Sequence, residues 1–187
     1  MVLQAHLCAR ASSLSMPAEP KQLLREIRDH LVSACDEGLL AMKPQDVFAR
    51  LKLKDSPLGE QPEYMGIYGG DKDLKRTGQR PRFLRRDGAW FVFTITVRKR
   101  GAETLELYAY DFELCFPQRQ DLPAPPPRFV RFDLNQPGHD NQTKGLRCHT
   151  HPGHDDLMAP APLMTPIELL DLFLNDALVL PERPRKA

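Results

Sequence analysis

The sequence has no Cys-x-x-Cys pair, no apolar run near the ~18 residues that a membrane span needs, and no large excess of either charge. Each absence excludes a class. Cys8, Cys35, Cys115 and Cys148 are widely and irregularly spaced, which removes zinc ribbons and thioredoxin-type redox motifs. No membrane helix is expected. With 26 Lys+Arg against 25 Asp+Glu the formal net charge is +1, so the chain is neither a uniformly basic nucleic-acid coat nor an acidic tail protein. Residues 1–16 lack the basic start and sustained apolar core of an export signal. We therefore expect a cytoplasmic protein with reduced thiols. No internal repeat is visible.

What is present points to one domain. The 187 residues include 41% hydrophobic ones, enough for a real core. Eighteen prolines, about double ordinary usage, argue against a long helical bundle. We divide the chain into a flexible N-terminus (1–16), a helical pair (17–54), a Gly/Pro-rich connection (55–81), a sheet region with a His-rich loop and a C-terminal helix (82–180), and a basic tail (181–187).

The helical pair rests on Leu23, Leu24, Ile27, Leu31, Ala34 and Cys35, which recur at three- and four-residue steps before Gly38. Pro44 opens a second short helix with Val47, Phe48 and Leu51 on one side. The breakers in 55–81 predict loop, with at most a short strand around Tyr64–Tyr68. The period then switches to two. Asp87-Gly88 is a hairpin signal ahead of Trp90–Val97, in which Phe91, Phe93, Ile95 and Val97 share a face. In Thr104–Phe116 the residues Tyr108, Tyr110, Phe112, Leu114 and Phe116 alternate with Ala109, Asp111 and Glu113. Gln118–Pro127 predicts an extended surface loop, Phe129–Leu134 a further strand, and 135–164 an irregular polar stretch. Thr165-Pro166-Ile167-Glu168 is a capping box that opens a helix expected to end near Leu178. The fold class that follows is α+β: a central antiparallel meander sheet of four to six strands, with the N-terminal helical pair and the C-terminal helix packed on it.

Chemistry concentrates in one stretch. Four of the six histidines fall between His139 and His154. If Leu146–His151 is extended, His149 and His151 point to one face, and a hairpin brings Asp133 near them. His154, Asp155 and Asp156 follow a Pro-Gly turn that can fold them back. Two imidazoles and a carboxylate suit a first-row divalent metal, with His149, His151, His154 and Asp133 as ligands. They equally suit metal-free acid–base work at Asp133, His139, His149 and His151. The plain alternative is a hydrogen-bonded loop. Cys148 faces away from His149, which argues against a Cys-His nucleophile.

A second feature is basic. Between Lys72 and Arg100 ten Lys and Arg stand against Asp73 and Asp87, a local +8. Lys75, Arg76, Arg80, Arg82, Arg85, Arg86, Arg98, Lys99 and Arg100 are the candidate phosphate contacts, with Phe83 and Trp90 as stacking surfaces. The plain alternative here is a charged, solvated hairpin edge.

The series Arg131-Phe132-Asp133, Pro137, His139, His149-x-His151 and the capped Leu-rich helix from Thr165 to Leu174 resembles proteins of the TumE type. These are toxin components of two-gene toxin–antitoxin systems. The likeness spans roughly residues 82–178 and includes the Arg86-Asp87-Gly88 turn before an apolar strand. The resemblance implies a toxin or nucleic-acid-linked role.

Two functions compete. The first is a TumE-like toxin or defence-associated protein that acts on RNA through the His/Asp cluster, with a cognate antitoxin or larger protein as partner. The second is a non-enzymatic accessory module that binds nucleic acid or a larger ribonucleoprotein or protein partner. A metal-dependent hydrolase of a small substrate is a weaker third.

Overall fold

The computed structural model describes residues 16–56, 63–101, 104–118 and 127–175. Helix α1 spans Pro20–Asp36 and buries Leu23, Ile27, Leu31 and Ala34. It ends at Gly38, whose φ of +73° is the left-handed conformation that glycine adopts without a Cβ clash. Helix α2, Pro44–Arg50, packs beside it. Leu51 is not part of that helix. It opens strand β1, Leu51–Asp55, which the sequence reading had placed in the helical pair and the connection. Of the residues expected on one side of α2, Val47 reaches the core and Phe48 is 53% exposed.

The remaining strands are β2 (Tyr64–Gly69), β3 (Phe83–Leu84), β4 (Trp90–Arg100), β5 (Thr104–Cys115), β6 (Phe129–Leu134), β7 (Cys148–Pro152) and β8 (Ala159–Pro160). They form one antiparallel meander in the order β1-β2-β4-β5-β6-β7-β8, with the short β3 also paired to β4. The eight strands among the described residues exceed the expected four to six. The extra ones are short (β3, β8) or hidden among turn residues and helix formers (β1). A 3₁₀ turn, Asp140–Gln142, lies between β6 and β7.

Alternation decides which side of the sheet is covered. Phe91, Phe93, Ile95 and Val97 of β4 and Phe112 and Leu114 of β5 face the helices in one continuous core. Helix α3, Pro166–Leu174, closes that core and sets Phe173 against Phe91, Phe112 and Phe132. It also meets α1, where His30 Nε2 lies 3.0 Å from an oxygen of Asp171. Its capping box forms as the sequence predicts: Thr165 Oγ1 accepts from the Glu168 amide, and the Glu168 carboxylate accepts from the Thr165 amide. The helix stops earlier than expected, since Asn175 is already extended. Leu178 lies outside the described residues, as do most of the Gln118–Pro127 loop and all of 1–15.

One register shift corrects the sequence reading of β5. Thr96 lies opposite Ala109, but Val97 lies opposite Leu107, so Tyr108 is an extra, bulged residue. The core face therefore runs through Leu105 and Leu107, then Tyr110, Phe112 and Leu114. Tyr108 leaves that face, half-buried, with its ring edge-on to Tyr64.

Candidate functional site

Among the described residues no helix covers the other face of the sheet. There Trp90, Val92, Cys115 and Phe129 make a small apolar cluster, and the strand register lines up polar side chains beside it. Thr94 lies opposite Asp111, Asp111 opposite Asp133, and Asp133 opposite His149. The adjacent row is Val92, Glu113, Arg131 and His151. Because i and i+2 share a face, the two rows sit side by side.

The rows converge at one end. His149 Nε2 lies 3.0 Å from His151 Nε2, and Asp133 Oδ2 lies 3.4 Å from the first and 3.1 Å from the second. All three residues are buried, His149 at 2% exposure, His151 at 4% and Asp133 at 8%. Among the described residues this is the one group of three His, Cys, Asp or Glu side chains whose nitrogen and oxygen atoms converge in this way.

Their surroundings set the charges. Burial opposes ionisation of Asp133. The hydrogen bond from His151 and the charges of Arg131 and His149 outweigh it and hold the carboxyl below its usual range. Burial pushes the His149 imidazole below its ordinary value, with His151 and Arg131 adding to the effect against the pull of Asp133. Arg131 Nε donates to Asp133 Oδ2 at 3.0 Å, and its Nη1 donates to Asp155 Oδ1 at 2.7 Å. Asp111 is pushed up by burial and by the neighbouring Asp133 carboxylate, against the attraction of Lys72.

A second arginine ties this face to the loop before β3. Arg76 donates from Nε and Nη2 to the two oxygens of Glu113, at 3.1 and 3.0 Å, and also bonds both oxygens of Asp155. Its guanidinium stacks 3.6 Å from the Phe129 ring centre. Arg76 is the one described non-glycine residue with a positive φ, +53°. That local strain persists because four hydrogen bonds and a stacked ring fix the side chain.

Asp133 also lines a cleft of about 290 Å³ with Thr94, Thr96, Asp111, Asn135 and His139. The cluster is thus buried, with Asp133 as its one member on an open cleft.

Three of the candidate site residues come together, Asp133, His149 and His151. His139 does not join them. It lines the same cleft, and its Nδ1 accepts from the Asn141 amide. His154 also stands apart, 70% exposed at the side chain and bonded to the Asp156 amide. The Pro-Gly turn does fold a residue back onto the sheet, but that residue is Asp155. Cys148 faces the opposite way, into the core beside Tyr110 and the Pro162 carbonyl. Burial pushes its thiol up, away from the reactive thiolate form. Cys35, Cys115 and Cys148 are free thiols.

The basic stretch is largely neutralised by neighbours. Lys72 pairs with Asp111, Arg76 with Glu113 and Asp155, Arg85 with Asp87, Arg98 with Glu63, Lys99 with Glu19 and Arg100 with Glu106. Arg85 is buried and also caps the Phe173 carbonyl at the end of α3. Arg82 is half-buried near the Trp90 ring. Lys75, Arg80 and Arg86 remain exposed.

Sequence reasoning missed Asp111, Glu113 and the carboxylate partners of Arg76. A signal was there: acidic residues at alternate positions of a strand otherwise apolar on its other face. No family model, curated protein or solved structure matches the chain. No described helix is long and apolar enough to cross a membrane.

Proposed function

We propose that the chain is a toxin- or defence-type enzyme that acts on RNA, with Asp133, His149 and His151 as its reactive centre. One observation carries this reading. The residues behind the TumE resemblance include Arg131, Asp133, His149 and His151, and these four meet in a single hydrogen-bonded group although they come from two strands. A loop histidine kept only for surface polarity has no reason to be buried against a carboxylate at the border of a cleft. The arrangement also limits the chemistry. Two imidazoles that act as acid and base on RNA must flank the scissile phosphate, and no phosphate fits between nitrogens 3.0 Å apart.

The test is cleavage of a mixed RNA substrate by the purified full chain, beside His149→Ala and His151→Ala. Each substitution should reduce cleavage by at least ~10²-fold while the melting transition survives. Intact RNA with the unaltered protein, or undiminished cleavage in both variants, would sink the proposal. The accessory-module reading has its own support in exposed Lys75, Arg80 and Arg86. It requires binding without cleavage, weakening steeply as salt rises.

A further inference from the structure

We propose that Asp133, His149 and His151 hold one first-row divalent cation through Oδ2, Nε2 and Nε2. The inference uses the cluster of the preceding section and does not depend on RNA as the substrate.

Geometry is the first argument. A cation bound at about 2.0–2.1 Å places its ligand atoms about 2.9 Å apart at right angles and about 3.4 Å apart at tetrahedral angles. The three separations here are 3.0, 3.1 and 3.4 Å, a near-equilateral triangle of that size. The three atoms come from two neighbouring strands in fixed register, so the triangle is built by the sheet and not by a loose loop.

Proton bookkeeping is the second. If both Nε2 atoms carry hydrogens, two donors crowd each other at 3.0 Å. If one does not, its lone pair faces the Asp133 oxygen, and two acceptors oppose each other in a buried site. A cation at the centre satisfies all three atoms at once. Asp133 Oδ1 is also buried and finds no hydrogen-bond partner among the described residues, a cost that a cation on the neighbouring oxygen offsets.

The surroundings fit too. Arg131 Nε donates to the same Asp133 Oδ2 and fixes the orientation of the carboxylate. Asp111, Glu113, Asp133 and Asp155 face three cations, Lys72, Arg76 and Arg131, so the neighbourhood is net negative and does not repel a dication. Two imidazoles select a zinc-like or iron-like ion over magnesium or calcium, which prefer all-oxygen sites. The cleft along Asp133 brings open space up to one of the three ligands.

The test uses the chelator-stripped full chain, titrated with Zn²⁺ by calorimetry and with Co²⁺ by visible absorption. One equivalent should bind, with a Co²⁺ spectrum distinct from that of the aqueous ion. His151→Ala and Asp133→Asn should each weaken binding by more than the ~10–100-fold that loss of a residue hydrogen-bonded to a ligand costs. The double variant His139→Ala/His154→Ala should bind like the wild type. An aqueous Co²⁺ spectrum, or full binding by a folded His151→Ala, overturns the site. Should the ligand variants unfold, the wild type still decides: Zn²⁺ must raise its Tm and chelator must reverse the rise. One bound equivalent with RNA left intact ends the RNA reading and keeps the metal. RNA cleavage by the stripped protein, with no equivalent bound, does the reverse.

Discussion

The two faces of the sheet obey different physics. The helix-covered face is a redundant apolar layer in which Phe83, Phe91, Phe93, Phe112 and Phe173 touch one another, and each contact is non-directional. The open face is held by a handful of directed bonds among Arg76, Glu113, Arg131, Asp133 and Asp155. Substitution on the first face costs in proportion to volume removed. On the second it costs according to which partner is left alone. The face that holds buried charge with directed bonds is the face with the cluster.

The largest expected effect tests the first half of that contrast. Phe112 is fully buried and stacks 4.9 Å from Phe93, so Phe112→Ala should lose about 3–5 kcal/mol by urea unfolding. A loss below ~1 kcal/mol would mean that the covered face is not close-packed.

The next effect sharpens the second half. Glu113 is 1% exposed, and its bidentate partner is Arg76. Arg76→Ala leaves that carboxylate with Arg131, 3.7 Å away, and the weak Cys115 thiol donor at 3.6 Å, and should cost about 3 kcal/mol despite relief of the positive φ. Arg76→Ala/Glu113→Gln should recover part of the loss, because it removes the stranded charge with its partner. If the double variant is as unstable as the sum of the singles, the pair is not a unit.

The covered face was also the legible one. Periods of 3.6 and 2 announced α1, β4, β5, β6 and α3 because each buries one side against an apolar layer. The bulge at Tyr108 was hidden, since an inserted aromatic continues the alternation by eye while the register slips beneath it. Strand β1 was hidden because Leu51-Lys52-Leu53-Lys54 follows a helix without a breaker. On the open face, His149 and His151 could be paired from spacing alone, and Asp133 from the neighbouring strand. Arg76 could not, because nothing local says that a loop residue 37 positions upstream of Glu113 will fold over it. The partners of the basic stretch were hidden for the same reason: charge counted along the chain says nothing of carboxylates supplied from Glu19, Glu63 or Asp155.

A pH titration separates the faces more gently. Arg76, bonded to Asp155, holds that carboxyl below its usual range, and Arg131 adds to the effect. A depressed carboxyl contributes stability that is present above its unfolded value, about 3.9, and is lost as pH falls through the lower folded value. The protein should therefore lose stability as pH falls below about 4. Asp155→Asn should flatten this acid limb. Its Tm near neutrality should fall only modestly, because Asp155 is half exposed. An acid limb unchanged in the variant would remove Asp155 from the network.

The smallest expected effect falls outside both faces. Phe48 was placed by sequence on one side of α2 with Val47, and it is 53% exposed, with the Arg28 guanidinium 5.5 Å from its ring centre. If burial and not residue type sets the cost, Phe48→Ala should lose no more than the ~0.5–1 kcal/mol of an exposed cation–π contact. Phe112→Ala removes the same atoms from the same kind of side chain, so the two measurements form a matched pair. A Phe48 loss approaching that of Phe112 would show that α2 seats its aromatic ring against something, and would extend the apolar layer beyond the helices and strands that now bound it.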